Sequence, residues 1–250
     1  MGRSLAPNPY NRFSRDSFEL FDDFNSYTKD DLWTDIQTDS TATVALADGQ
    51  HSVIKLLSSA DNESAVLFTS YEIFKFVTLK NLYAETRVKL TDVGTYTNES
   101  AYLFGFADAF ALDLIDDGGA GLTINDSGAV IFKKSGAGTD GDGEAWCFQT
   151  EIGGSATTST STTCPTGTAA VTAAYTRLAI DIIPLSSSVF QARPFVDGKQ
   201  LIDATSGNLI CHNITLGTAT DMQLGFEIKG GHADDTTIEC DYVYASGTRP

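Results

Sequence analysis

Basic residues and histidines are scarce in this chain. Its 250 residues include 16 lysines and arginines against 33 aspartates and glutamates, so the formal net charge is −17. Proteins that bind nucleic acid contact phosphates through clustered Lys and Arg, and the acidic balance therefore argues against nucleic-acid binding. The three histidines, His51, His212 and His232, lie in no nucleophile–base motif, and no GxSxG sequence occurs. The sequence thus gives no sign of nucleophilic catalysis, which needs a base beside its serine or cysteine.

Long apolar runs are also absent. No stretch approaches the roughly 20 apolar residues that a membrane-spanning helix needs. The N-terminal sequence MGRSLAPNPYNRFSRDSF carries charge without an apolar centre. We therefore expect no secretory signal and no membrane partner.

Cysteine is limited to four residues, Cys147, Cys164, Cys211 and Cys240. No two of them form a CxxC motif, which argues against a zinc knuckle. If the chain is oxidised, we expect the pairs Cys147–Cys164 and Cys211–Cys240, because each joins neighbours in the predicted strand order. The expected lack of a secretory signal favours the alternative, in which the thiols are reduced and buried.

Short β-rich segments with turn signals between them dominate the rest of the chain. Asp-Gly pairs at 48–49 and 197–198 stand between apolar runs and predict hairpins. This pattern predicts an all-β fold, a two-sheet antiparallel jelly-roll sandwich. The predicted strands cover residues 18–24, 41–46, 52–57, 65–68, 72–79, 83–90, 102–110, 129–133, 145–151, 175–183, 188–196, 222–228 and 237–244.

Four segments interrupt the strand pattern. Residues 135–144 are rich in Gly and Asp, and residues 155–168 are rich in Ser and Thr, so we expect both to be surface loops. Short helices are the expectation for residues 110–115 and 169–174.

The first 16 residues differ in composition from the rest. They hold Arg3, Arg12 and Arg15 against a single acid, together with prolines and asparagines that disfavour regular structure. We expect an extended arm at residues 1–16 and one β-sandwich domain at 17–250. The arm either contacts an acidic partner, with Tyr10 and Phe13 as apolar anchors, or is a disordered terminus.

One loop has the composition of a metal site. Asp140, Asp142 and Glu144 alternate with glycines, and hard oxygen ligands on a flexible loop suit Ca²⁺. The spacing is not that of an EF-hand, and a solvated acidic loop is the alternative interpretation. We expect no other cofactor.

Paired carboxylates are rare on the predicted strands. Glycoside hydrolysis needs two carboxyl groups that face one groove. Glu72, Glu85 and Glu227 each stand alone on their strands, whereas Glu239 and Asp241 are two positions apart and share a face. We expect this last pair to be solvated or to hold a structural ion.

Several of these segments together resemble the concanavalin A-like (laminin G-like) jelly-roll superfamily. They are FELFDDF near the start, YAETRVKL in the middle, the unit TRLAIDII with FQARPFVDGKQL, and the closing TIECDYVYAS. The glucanase branch of that superfamily carries an E-x-D-x-x-E strand that is absent here. The resemblance therefore implies a protein that is not an enzyme.

The arm followed by an acidic β-sandwich is also similar to bacteriophage head decoration (cement) proteins. That resemblance implies a virion protein on the outer capsid surface, made in the host cytoplasm. It would be a homotrimer that binds the major capsid protein and stabilises the shell. The first alternative is a carbohydrate-binding module that uses Trp33, Trp146 or the 135–144 loop. The second alternative is a hydrolase or lyase of the same fold.

Overall fold

A computed structural model describes most of the chain downstream of residue 16. The described residues are 17–38, 41–47, 52–76, 80–92, 100–115, 122–124, 127–133, 145–160, 172–215, 221–231 and 235–248. In this part of the chain the regular structure is β-strand, and no helix in it is long and apolar enough to cross a membrane.

Within the described residues, sixteen strands form two antiparallel sheets. The strands, numbered in chain order, are β1 Ser17–Asp22, β2 Trp33–Gln37, β3 Thr43–Ala47, β4 Val53–Ser58, β5 Ser64–Thr69, β6 Leu82–Asp92, β7 Ala101–Ala107, β8 Ser127–Lys133, β9 Trp146–Ile152, β10 Ser155–Thr160, β11 Thr172–Pro184, β12 Val189–Val196, β13 Lys199–Gln200, β14 His212–Thr215, β15 Gln223–Lys229 and β16 Thr236–Thr248. The nine-stranded sheet has the order β13-β12-β11-β6-β16-β4-β3, with β1 beside β16 and β14 beside β12. The seven-stranded sheet has the order β10-β9-β8-β7-β15-β5-β2. The predicted two-sheet antiparallel sandwich is confirmed.

The nine-stranded sheet has one buried and one partly exposed face. Burial alternates along β12, and a single cluster of apolar residues from both sheets fills the space between them. This alternation follows from the period of two in a strand, which turns successive side chains to opposite faces. The outward face of this sheet is therefore available to solvent and ligands.

The seven-stranded sheet is buried on both faces. Its strands β5, β7 and β8 are buried at every position. Residues 108–115 and 122–124 lie over its outer face and form a second apolar cluster, in which Phe110 stacks on Phe68. This covering explains why β5, β7 and β8 are mostly apolar on both faces.

Most predicted strands and both hairpins are confirmed. β3 pairs with β4 in antiparallel order, whereas the Asp48-Gly49 turn between them lies outside the described residues. β11, β12 and β13 also follow one another in antiparallel order. Asp197 and Gly198 both have positive φ, as a two-residue hairpin turn requires.

Four local predictions are wrong in the residues that the structure describes. Residues 110–115 form turns instead of a helix, because their apolar side chains cover the outer face of the seven-stranded sheet. In the predicted strand 72–79, the described residues make only an isolated bridge between Phe74 and Met222. Ser155–Thr160, expected in a loop, is the edge strand β10, where exposed polar side chains are tolerated. Of the predicted helix 169–174, residues 172–174 belong to β11, and residues 169–171 lie outside the described residues.

The disulfide prediction fails for one pair. Cys211 and Cys240 are free cysteines. Cys211 directly precedes β14, whereas Cys240 lies on β16, and β12, β11 and β6 separate the two strands. At about 4.8 Å per strand the separation is on the order of 19 Å, far beyond the roughly 7 Å that a disulfide tolerates. Cys147 is buried on β9, and Cys164 lies outside the described residues.

Candidate functional site

Several predicted site residues lie outside the described part of the chain. They are Arg3, Tyr10, Arg12, Phe13 and Arg15 of the arm and Asp140, Asp142 and Glu144 of the acidic loop. Capsid contact by the arm and Ca²⁺ binding by the loop therefore stay predictions. Within the described residues, no group of three or more His, Cys, Asp or Glu side chains could hold a metal ion.

The two tryptophans proposed as sugar-binding residues are buried. Trp33 is 2% exposed, and its indole N–H donates to Asp22 Oδ2 at 2.7 Å. Trp146 is 1% exposed. Both rings belong to the core cluster between the sheets, so neither is available to stack on a ligand.

The two carboxylates of the predicted pair, Glu239 and Asp241, each form an ion pair with a basic side chain. Lys89 Nζ lies 3.1 Å from Glu239, and Arg87 Nη1 lies 2.7 Å from Asp241. A bulge between Cys240 and Tyr242 interrupts the pairing of β16 with β6 at this point. These acids are partners in cross-strand ion pairs, and they do not form a free ligand set.

A groove lies on the outward face of the nine-stranded sheet. It has a volume of about 420 Å³ and is lined by Tyr83, Glu85, Arg177, Ala179, Asp181, Phe195 and Gly198. We call it the outer groove. Strand β11 forms its floor, with β6 on one side and β12 on the other, because β11 pairs with both.

Two tyrosines hold the carboxylate on the β6 side. The Tyr83 hydroxyl donates to Glu85 Oε2 and the Tyr242 hydroxyl donates to Glu85 Oε1, both at 2.6 Å. Burial and these hydrogen bonds raise the pKa of both phenols above the ordinary value, so both remain donors. Glu85 is thereby fixed in place, with neither oxygen left without a donor.

The turn after β12 positions Arg177. The Arg177 amide donates to Asp197 Oδ1 at 2.9 Å, and the Asp197 amide donates to the Arg177 carbonyl at 2.8 Å. A Cβ at Gly198 would lie only 2.7 Å from Arg177 Nη2, so the absence of a side chain there leaves room for the guanidinium. Arg177 Nε is 4.0 Å from Glu85 Oε2, which places a cation at this end of the outer groove.

Asp181 differs from Glu85, Glu239 and Asp241, which have donors or cations as partners. It is half-buried, and the described residues give it no hydrogen bond and no ion pair. Burial raises the pKa of its carboxyl group, against an opposing contribution from the Arg193 guanidinium on β12. Arg193 Nε instead donates to Gln191 Oε1 at 2.7 Å. The acceptor oxygens of Asp181 are thus free for a ligand.

Aromatic rings continue across the same face beside the outer groove. Tyr244 contacts Tyr83, with ring centroids 6.1 Å apart, and Phe21 of β1 stacks on Tyr242. Phe21 is 63% exposed. Together with the partly buried Phe195, these rings make an aromatic surface that is interrupted by a few charged groups, as ligand-binding surfaces commonly are.

The sequence pattern missed the outer groove because its residues come from separate strands. Cross-strand pairing places Tyr83 opposite Asp181 and Glu85 opposite Ala179. Phe195 lies opposite Ala179 on the other side. The sequence does show that Arg177, Ala179 and Asp181 alternate and therefore share one face of β11. It does not show which residues of β6 and β12 lie beside them, because that depends on the strand register.

No family model and no curated protein matches this chain. Solved structures do match over nearly the whole length. An endo-1,3-beta-glucanase from Streptomyces sioyaensis is 14% identical with a TM-score of 0.57, over 98% of this chain and 100% of that one. The carbohydrate recognition domain of Emp47p is 10% identical with a TM-score of 0.55, over 94% and 98%. Peanut lectin is 11% identical with a TM-score of 0.55, over 93% and 97%.

These similarities establish the fold. The protein has the concanavalin A-like jelly roll that the sequence resemblance predicted. At these identities the similarities show the fold alone, because one fold hosts many functions. None of the similarities connects the chain with phage decoration proteins.

Proposed function

We propose that this protein is a carbohydrate-binding module and that the outer groove is its ligand site. The observation that carries the proposal is the free carboxyl group of Asp181 between aromatic side chains in an open groove. The matched structures add support, because they include a carbohydrate recognition domain and a lectin.

The chemistry of the outer groove suits a sugar. The C–H faces of a pyranose ring are apolar and pack on aromatic rings, for which Phe195 and Tyr83 are available. Hydroxyl groups need acceptors and donors, which Asp181 and Arg177 offer. A few well-placed polar groups within an aromatic lining are the common composition of small-molecule sites.

The opposite side of the sandwich offers no comparable surface among the described residues. There the outer face of the seven-stranded sheet is covered by residues 108–115 and 122–124. The covering side chains are apolar and packed against the sheet. A ligand on that face would have to displace them, whereas the outer groove is already open.

The test is a glycan array followed by calorimetry on the sugar that is retained. Phe195→Ala removes one aromatic wall, and we expect it to lower the affinity about tenfold or more. Tyr71→Ala is the matched control, because Tyr71 is 67% exposed and is not part of the outer groove. We expect this control to bind as the unaltered protein does.

Two results would refute the proposal. One is an array without a retained glycan, both with and without calcium. The other is a Phe195→Ala protein that folds and binds the glycan with unchanged affinity. The calcium arm also tests whether the 135–144 loop takes part.

The remaining functional expectations stay predictions. The matched structures include an endo-glucanase as well as lectins, so the expectation of a protein without enzymatic activity is open. The capsid role, the trimer, the major capsid protein as partner and the virion location all depend on the resemblance to decoration proteins. No comparison adds support to them.

A further inference from the structure

The outer groove is elongated along one strand. Arg177, Ala179 and Asp181 occupy alternate positions of β11 and therefore face the same side. At about 3.4 Å per residue, the distance along β11 from Arg177 to Asp181 is on the order of 14 Å. Ala179, the smallest side chain of the three, forms the floor between them. The outer groove thus extends further along β11 than a single sugar ring would need.

The two walls of the outer groove run along its floor, parallel to β11. On β6, Tyr83 and Glu85 lie opposite Asp181 and Ala179. On β12, Phe195 lies opposite Ala179. Aromatic side chains therefore stand on both sides of the floor, and an extended chain lying parallel to β11 would contact both.

Asp181 has no hydrogen bond and no ion pair among the described residues, although the Arg193 guanidinium lies across from it on β12. Glu85 accepts from two tyrosines, and Glu239 and Asp241 are paired with Lys89 and Arg87. A carboxylate has several acceptor positions and can accept from two neighbouring hydroxyl groups at once. Such charge-assisted hydrogen bonds are about twice as strong as those between neutral groups.

The charges of the outer groove favour an uncharged ligand. Asp181 and Glu85 are acidic, the whole chain has a net charge of −17, and an anionic polysaccharide would be repelled. Arg177 lines one end, and Arg193 lies beside Asp181 at the other. These guanidinium groups would oppose a cationic amino sugar.

From these observations we infer that the outer groove holds an internal segment of an uncharged polysaccharide, extended along β11, with Asp181 as the residue that anchors its hydroxyl groups. This inference rests on the proposed function and specifies the ligand class. Recognition of a single terminal sugar is a different mode of binding, in which one ring would occupy only part of the length of the outer groove.

The experiment measures affinity against chain length and charge. The probes are gluco- and manno-oligosaccharides from one to six sugars, galacturonic acid oligomers as anions and deacetylated chito-oligosaccharides as cations. We expect a neutral hexasaccharide to bind about tenfold or more tightly than its own monosaccharide, because each further ring contacts more of the floor and walls. Charged oligomers of equal length are expected to bind more weakly.

The anchoring role is tested with Asp181→Asn. We expect the affinity for the neutral hexasaccharide to fall about 10- to 100-fold. Asp61→Asn is the matched control, because Asp61 is an exposed carboxyl group in the turn between β4 and β5. The melting temperature of each variant is measured alongside, and Ala179→Leu, which fills the floor without removing a polar group, is expected to abolish binding.

The possible outcomes separate this inference from the proposed function. Equal affinity for monosaccharide and hexasaccharide, a preference for charged oligomers, or an Asp181→Asn protein that binds normally would each overturn the inference while leaving sugar binding intact. Failure of every probe and of the glycan array would overturn the proposed function, and the inference with it.

Discussion

Replacing Glu227 with glutamine should change how the stability of this protein depends on pH. Glu227 lies on β15 and is fully buried within the second apolar cluster, opposite Leu103 of β7. Its Oε2 accepts from the Ile115 amide at 3.2 Å. Burial raises the pKa of this carboxyl group to about 8, so it is mostly protonated at neutral pH.

The sign of the effect follows from the two pKa values. In the unfolded chain Glu227 ionises near pH 4.5, whereas in the folded protein it keeps its proton up to about pH 8. Stability is therefore not reduced by this group below pH 4.5, and it falls as the pH rises toward 8. Each pKa unit corresponds to about 1.4 kcal/mol, so the loss between pH 4.5 and pH 7 is on the order of 3 kcal/mol.

Glutamine has nearly the same shape, can accept from the Ile115 amide and never ionises. The assay is urea unfolding of both proteins, followed by the fluorescence of the buried tryptophans, from about pH 5 to pH 8. We expect the stability of Glu227→Gln relative to the unaltered protein to rise steadily over that range. Glu72→Gln, at an exposed site, is the control and should show no such rise. Parallel pH profiles for Glu227→Gln and the unaltered protein would refute the reasoning.

Two further predictions concern other parts of the sandwich. His212 is buried between Thr150 Oγ1 and Ser159 Oγ, each at 3.0 Å, and burial lowers its pKa to about 4. The stability that depends on a neutral His212 is therefore fully present above pH 6.5 and is lost as the pH falls toward 4. In urea unfolding we expect the unaltered protein to lose about 2 kcal/mol of unfolding free energy over this range, and His212→Gln to show no such loss. Gly105→Ala should lower the free energy of unfolding by about 2–4 kcal/mol, because the new Cβ would lie 2.3 Å from the Ala129 carbonyl oxygen. Gly153→Ala is the control: the space around Gly153 is open, and we expect a cost of about 1 kcal/mol.

The strands of this fold could be predicted because their signals are local. The Asp197-Gly198 turn and the alternation along β12 are each contained in a few neighbouring residues. The errors came where tertiary packing decided the conformation. Residues 110–115 have the apolar content of a short helix, yet they lie in turns across a sheet face that needs apolar cover. The polar sequence of β10 is typical of a loop, but it forms an edge strand, because a strand with one free side tolerates exposed polar residues.

The outer groove could not be predicted because its chemistry depends on register. Glu85 looked isolated on its own strand, but pairing of β6 with β16 and β11 surrounds it with Tyr242 and Arg177. The pair that sequence spacing did identify, Glu239 and Asp241, is neutralised by two cations on the neighbouring strand. A shift of β11 by one residue would turn Asp181 into the core, so the same register that buries the apolar face leaves this carboxyl group free at the surface. In this sandwich, therefore, packing between the sheets determines which acid is available to a ligand.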